Sequence, residues 1–351
     1  MNCEIKINGR RIGAGHPVYV IAELSANHGQ DFNQAVEIIR AMKESGADAV
    51  KVQTYTADTL TIRSEQSYFK ISGGTLWDGK TLHDLYQEAA MPWDWQPKLQ
   101  RVAADLGLDF FSSPFDATSV DFLEQLNVPA YKIASFEMVD LPLIEKVART
   151  GKPIIISTGM ATLEEIEEAV ATARGAGCKE LALLKCTSSY PAPPEEMNLR
   201  TIADLAARFR VPVGLSDHTL DSMIPIAAVA LGACIVEKHF TLSRKSVGPD
   251  SAFSLEPDEF KTMVEAIRVT ERALGQVNYS GSPNENKSRQ FRRSLFIVED
   301  VKAGELFTAK NVRSIRPGNG LHTRHLKEVL GHKAACDIER GTPLDWTQIA
   351  K

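Results

Sequence analysis

VYVIAELSANH, residues Val18–His28, opens with six residues that read as a buried strand and continues without a phosphate loop. A short, β-branched apolar run ending in a polar residue is the pattern of a parallel strand covered on both faces. An open doubly wound sheet would place a glycine-rich turn directly after it, but Glu23-Leu-Ser-Ala-Asn-His28 contains no G-x-G-x-x-G. Seven similar runs follow: DAVKVQ (Asp48–Gln53), LDFFSS (Leu108–Ser113), AYKIAS (Ala130–Ser135), PIIIST (Pro153–Thr158), LALLKCT (Leu181–Thr187), PVGLSDH (Pro212–His218) and CIVEKH (Cys234–His239). Helical patterns such as FNQAVEIIRAMKESG and TLEEIEEAVATARGAG separate them, with Thr162 and Glu165 at capping-box spacing and Gly46, Gly177 and Gly232 where helices stop. Eight strands alternating with helices predict a (β/α)8 TIM barrel closing near residue 275.

Two features depart from a minimal barrel. Residues Tyr55 to about Trp95 form a long insertion after the second strand, carrying the turn-rich GGTLWDG (Gly73–Gly79). A loop of that length on the C-terminal face of a barrel reads as a substrate lid. From Ser280, GSPNENKSRQFRR reads as an exposed linker, followed by short alternating strands and turns. The expected organisation is a barrel over 1–279, a linker over 280–293 and a small β-rich domain over 294–351.

The chain has 351 residues, more than one ordinary core accommodates, which agrees with that division. Lys and Arg total 40 against 45 acidic residues, so the net charge of −5 draws the chain toward neither nucleic acid nor anionic membrane. RQFRR is a short basic patch in a linker and supports no nucleic-acid role. No signal peptide or spanning segment is expected, and five scattered cysteines without a C-x-x-C fit reduced thiols, so a cytoplasmic location is expected.

In a barrel the C-terminal strand ends converge on one mouth. Here they present Glu23, Lys51 and Gln53, Ser112 and Ser113, Lys132 with Ser135 and Glu137, Ser157 and Thr158, Thr187 and Ser188, Ser216 with Asp217 and His218, and Glu237 with His239. Hydroxyls and two lysines together suit a phosphate and a carboxylate; the alternative is that the Ser and Thr side chains cap helices. His218 and His239 end adjacent strands, and two imidazoles with open positions suit Mn²⁺, Fe²⁺ or Zn²⁺; the alternative is that each is a satisfied hydrogen-bonding residue. A closed zinc site is not expected, because no cysteine is placed near them. Glu23 is either a salt-bridge partner or a general acid–base group, and His28 is expected to order its loop or cap the next helix.

AELSANH, KVQT, FFSSPFD, YKIASFE, PIIISTGMA, CTSSYPAP, GLSDHT, VEKHFT and GPDSAFSLEP, followed by RRSL and RPGNG, resemble the sialic acid synthase family along nearly the whole chain. The resemblance implies a metal-dependent barrel with an antifreeze-like C-terminal domain (SAF, β-clip) that reaches over the mouth of a partner subunit in a domain-swapped homodimer. It implies condensation of phosphoenolpyruvate with an acetamido sugar, using a divalent cation (Mn²⁺ or Mg²⁺) on His218 and His239. Lys51, Ser113, Lys132, Ser135, Ser157, Ser188 and Ser216 match positions that hold phosphoenolpyruvate, and Glu23 matches the residue handling the attacking water. Glu23, Lys51 and Lys132 are thus the implied catalytic groups. Gln53, Glu137, Tyr190, Asp250, Phe291 and Arg316 match positions around the sugar, the last from the partner. Ser113 and Ser188 stand where Thr and Asn are expected in the N-acetylneuraminate enzymes; Ser188 shortens the reach. The lid and Ser251-Ala-Phe253 resemble the pseudaminic acid branch, where an acceptor bearing a methyl and acetamido groups is expected. Neuraminate or legionaminate synthesis, a pyruvate aldolase and a catalytically inactive carbohydrate-binding protein are the competing readings.

Overall fold

The computed structural model describes residues 4–246 and 248–350; Cys3 lies outside them. The chain divides into two units, Met1–Gly275 and Gln276–Lys351.

The first unit begins with a hairpin, β1 (Glu4–Ile7) and β2 (Arg10–Gly13). Its turn is Asn8-Gly9, with φ of +47° and +81°, and Asn-Gly is the favoured pair for a two-residue turn with both φ positive. Ile5, Ile7 and Ile12 are buried in one cluster with Tyr19, Ile21, Ala49 and Phe111. Asn8 donates to Asp109 at 2.6 Å, and the Lys6 amide donates to Glu180 at 2.8 Å. Both acceptors lie at the N-terminal ends of barrel strands, so the hairpin stoppers that end.

Eight parallel strands then close a barrel: β3 (Tyr19–Glu23), β4 (Ala49–Thr54), β5 (Asp109–Pro114), β6 (Tyr131–Ile133), β7 (Ile154–Ser157), β8 (Leu181–Cys186), β9 (Val213–Asp217) and β10 (Ile235–His239). All eight runs read from the sequence are strands. β10 pairs back onto β3 with His239 opposite Glu23, and Glu23 lies opposite Lys51 on β4. Register thus lines up chemically distinct residues from three strands before any side-chain packing is considered. The helices begin on side-chain caps where the sequence supplies them, at Asp31, Asp116, Asp140 and Thr162, the last in a capping box with Glu165. None of these caps is a strand-end serine, so the serines at the mouth are left for other partners.

Alternation along each strand sends one set of residues inward. The lower inward layer is apolar, with Tyr19, Ile21, Ala49, Phe111, Ile155, Leu184 and Ile235 buried in a single cluster. Gly214 sits in this layer because nothing larger fits: a Cβ there would meet the Ile235 carbonyl oxygen at 2.3 Å and Leu184 Cδ2 at 2.7 Å. The upper layer is polar and carries the mouth.

The insertion over 55–95 is folded, with helices Ala57–Leu60 and Leu82–Ala89. Its tip is organised by Asp78, whose carboxylate accepts from the amides of Gly73 (3.1 Å), Gly74 (2.8 Å) and Thr75 (3.0 Å). In the second unit, β11 (Ser294–Ile297) pairs antiparallel with β12 (Val312–Ile315) over a core that includes Leu295, Phe307, Val329 and Leu344. The segment expected as a plain linker carries an exposed helix, Pro283–Ser288, capped by Ser282 and Glu285.

Gly214→Ala should destabilise the first unit by about 2 kcal/mol through overpacking, read as a lower urea midpoint at unchanged m-value.

Candidate active site

The upper layer of the barrel holds two lysines and two glutamates almost fully withdrawn from water: Glu23 is 0% exposed, Lys51 4%, Lys132 1% and Glu237 5%. Lys51 Nζ lies 2.5 Å from Glu23 and 3.7 Å from Glu237, and Lys132 Nζ is 3.9 Å from Glu237. Burial pushes the Glu23 carboxyl up to about 7 even against the opposing pull of Lys51. Burial also works against the charge on Glu237, but Lys132 and Lys51 outweigh it and hold that carboxyl low. Lys132 is shifted down by burial despite Glu237, whereas for Lys51 the two carboxylates overcome burial and shift it up. The two carboxylates therefore differ in kind: Glu237 is a fixed counter-charge, and Glu23 is poised to exchange a proton near neutrality.

The serines surround this tetrad. Lys132 donates to Ser157 Oγ at 2.6 Å, Lys51 lies 3.4 Å from Ser113 Oγ, and Ser216 donates to Glu237 at 3.1 Å. Ser135 and Ser188 flank Gly159, where φ is +46° and a Cβ would lie 2.4 Å from Ser135 Cβ and 3.0 Å from Ser188 Oγ. All seven residues matched to phosphoenolpyruvate positions thus sit at the barrel mouth. The residue that sequence reasoning left without a role is Glu237; its place one pleat step below His239 was the available signal.

The imidazoles of His218 and His239 are 5.4 Å apart between ring centroids. Burial, then the charges of His218 and Lys51, drive His239 well below its usual range, so it stays neutral, and its Nδ1 is buried without a hydrogen-bond partner among the described residues. Against its burial, His218 is pulled up by Cys186 and by the Thr187 carbonyl oxygen, which lies 2.9 Å from Nδ1; that contact keeps a proton on Nδ1, so Nε2 is the nitrogen that would give up its proton to bind a cation. An orphaned imidazole nitrogen beside a second oriented imidazole fits a divalent cation. Among the described residues no group of three or more His, Cys, Asp or Glu side chains is arranged around a metal position, so two histidines would leave the remaining ligands to water and substrate. One expectation is corrected here: a cysteine does lie near, with Cys186 Sγ 3.9 Å from His218 Nδ1. Inward alternation on β8 puts it there, and spacing along the sequence did not reveal it.

Above the tetrad opens a cavity of about 420 Å³. The insertion supplies one wall with Leu60, Ile71, Trp77, Leu85 and Tyr86, and the barrel loops supply Gln53, Glu137, Tyr190, Asp250 and Phe253. Trp77 donates its indole N–H to the Pro249 carbonyl at 3.0 Å and packs on Tyr190, and Tyr190 in turn lies 4.4 Å from the His218 ring. Burial pushes the Glu137 carboxyl up to about 7, with Oε2 buried and without a partner among the described residues. Phe253 reaches the cavity beside His239, with ring centroids 5.0 Å apart. Ser251 does not: its hydroxyl turns back onto the Ser246 and Gly248 carbonyls, so the sequence-based expectation that it shapes the acceptor pocket is corrected. His28 is buried, held between the Ala89 carbonyl and the Gln30 amide, which is the loop-ordering role expected for it. Phe291 and Arg316 belong to the second unit and are exposed on it.

Residues 38–279 match the NeuB family and residues 292–350 match the SAF domain. The chain is 47% identical to the pseudaminic acid synthase of Helicobacter pylori, over 95% of this chain and 98% of that one. It is 45% identical to the pseudaminic acid synthase of Campylobacter jejuni, over 93% and 95%. The crystal structure of the N-acetylneuraminic acid synthetase of Leptospira borgpetersenii superposes with a TM-score of 0.73 at 31% identity, covering 82% of this chain and 95% of that one. A barrel of this closure, with this order of strand-end residues, followed by this small domain, belongs to the NeuB family.

Proposed function

We propose that this chain condenses phosphoenolpyruvate with 2,4-diacetamido-2,4,6-trideoxy-altrose and water to give pseudaminic acid and phosphate. The observation that carries the reading is the two-tier mouth: a buried lysine–serine floor suited to a small dense anion, continuous at Ser135 with an aromatic-walled cavity suited to a sugar with few hydroxyls. The two relatives named pseudaminic acid synthase, at 45–47% identity, support the choice of acceptor.

In this reading Lys51, Lys132 and the hydroxyls of Ser113, Ser135, Ser157, Ser188 and Ser216 hold the phosphate and carboxylate of phosphoenolpyruvate. Its C3 attacks the aldehyde carbon of the open-chain sugar; a C–C bond forms as the carbonyl π bond breaks onto oxygen, and positive charge develops at C2. Water adds to C2 as Glu23 takes one of its protons, which the new alkoxide receives to become a hydroxyl; C2–O cleavage then releases phosphate, which carries off the second proton as the C2 hydroxyl becomes the ketone. Lys51 stays beside both anionic centres throughout, a preorganised electrostatic role. A divalent cation, Mn²⁺ or Mg²⁺, held by His218 and His239 would polarise the aldehyde oxygen and orient the acceptor. Gln53, Glu137, Tyr190 and Asp250 bind the acceptor, and apolar Phe253 and Tyr86 favour its methyl groups over hydroxyls, which would lose their hydrogen bonds there. Phe291 and, in a swapped homodimer, the partner subunit's Arg316 are the further sugar-binding residues of this reading, and the reaction belongs to the cytoplasm.

With phosphoenolpyruvate and Mn²⁺, phosphate release is expected from the diacetamido-trideoxy-altrose and not from N-acetylmannosamine, and a chelator should abolish it. The reverse preference would overturn the acceptor, and no release from either would overturn the reaction.

His239→Ala should lose both turnover and the Mn²⁺ binding seen by electron paramagnetic resonance; retained activity in metal-stripped H239A protein would refute the metal role.

Because Glu23 acts as a base in its ionised form and titrates at about 7, kcat/KM should rise with pH through that value. Glu23→Gln should remove this limb along with most of the rate; a limb that survives in E23Q belongs to another group.

A further inference from the structure

Ser25 is a buried residue with φ of +46°, in the left-handed region where a side chain is strained and glycine is not. Its conformation is held by what it touches. The Ser25 amide donates to Glu23 Oε1 at 3.1 Å. Its hydroxyl donates to Asp250 Oδ2 and accepts from Gln53 Nε2 at 3.0 Å, while the neighbouring Ala26 amide reaches the same Asp250 oxygen at 3.2 Å. Gln53 comes from the end of β4 and Asp250 from the loop after β10, and both line the upper cavity with Ser25. No other side chain among the described residues hydrogen-bonds to both.

Strain at a buried polar residue points to a task that the relaxed alternative could not perform. Glycine would relieve the backbone here, and it would also release Gln53 and Asp250 from each other. With the hydroxyl in place, each of the two uses one polar atom on Ser25 and keeps an oxygen that accepts no hydrogen bond from the described residues, Oε1 of Gln53 and Oδ1 of Asp250. Two fixed acceptor oxygens on one edge of a cavity suit a ligand that presents N–H and O–H donors together.

We infer that Ser25 is a positioning and specificity-determining residue for the acceptor, locking Gln53 and Asp250 into a paired acceptor edge that reads the acetamido N–H and adjacent hydroxyl of the sugar. The inference rests on the proposed condensation and deepens it, assigning acceptor selection to a residue whose hydroxyl touches the sugar's ligands and whose only contact with the tetrad, the amide on Glu23, survives loss of the side chain.

The test uses the full chain with Ser25→Gly and Ser25→Ala, measuring phosphate release while each substrate is varied in turn. S25G should melt at or above the wild-type temperature, because strain is relieved. Its KM for the diacetamido sugar should rise about tenfold, the loss of one charge-assisted hydrogen bond, while KM for phosphoenolpyruvate stays within about twofold. Its preference for that sugar over N-acetylmannosamine should narrow. S25A should show the same acceptor defect with a lower melting temperature than S25G. An active S25G with unchanged acceptor KM, or with both KM values raised alike, overturns the inference and leaves the condensation standing, as does an S25G that melts below wild type. A wild-type protein that turns over no acceptor overturns the condensation, and this inference with it.

Discussion

Two ammonium groups and two carboxylates share the upper layer of the barrel, where water scarcely reaches them. Any one alone would be too costly to bury in its charged form. Lys51 between Glu23 and Glu237, and Lys132 beside Glu237, make the layer close to neutral as a whole. This requirement governs much of what surrounds it. The strand ends must stay in register, because a slip of one residue would turn Glu23 or Lys51 into the helix layer and leave its partner uncompensated. The apolar layer beneath must be tight, because a void there would let the strands shift. Gly214 shows how little slack that layer has.

Strands β9 and β10 solve a second charge problem on their outer faces. Between inward-facing Glu237 and His239, Lys238 points the other way and is buried on Asp217, with further contact to the Thr219 carbonyl and hydroxyl. Asp217 also accepts from the Thr219 amide at 3.0 Å. The backbone that presents His218 is thereby pinned from outside the barrel, while Thr187 orients the ring from within. The imidazole pair is prepared by groups that never face the cavity, and its geometry is a property of the β9–β10 edge as much as of the histidines.

How far the sequence could be read depended on how local the signal was. The eight strands were legible because each is a compact apolar run with a polar end, and their topology followed from regular alternation with capped helices. The convergence of Glu23, Lys51, Lys132 and the serines followed in turn, since a closed barrel brings strand ends together whatever their separation along the chain. The hairpin at the N-terminus was not legible: EIKI and RRIG are four residues each, and their apolar positions find a core only once the barrel exists to receive them. Ser251 and Phe253 are two residues apart, and only backbone geometry reveals that one turns into its own loop while the other enters the cavity. Cys186 was passed over because its neighbour His218 is 32 residues away, a proximity set by strand pairing. Ser25 was hidden for a similar reason, since nothing in LSAN announces a positive φ.

The hairpin that closes the lower end of the barrel has a consequence for traffic. With that end filled by Ile5, Ile7 and Ile12, the interior is a blind well, and the floor that suits the small anion lies beneath the cavity that suits the sugar. Under the proposed condensation, the ligand of the floor would arrive before the sugar, and the ion left on the floor would wait for the sugar-derived product to clear the opening. Arrival and departure become a queue through one doorway, so the order of events is imposed by the shape of the vessel and needs no moving part to enforce it.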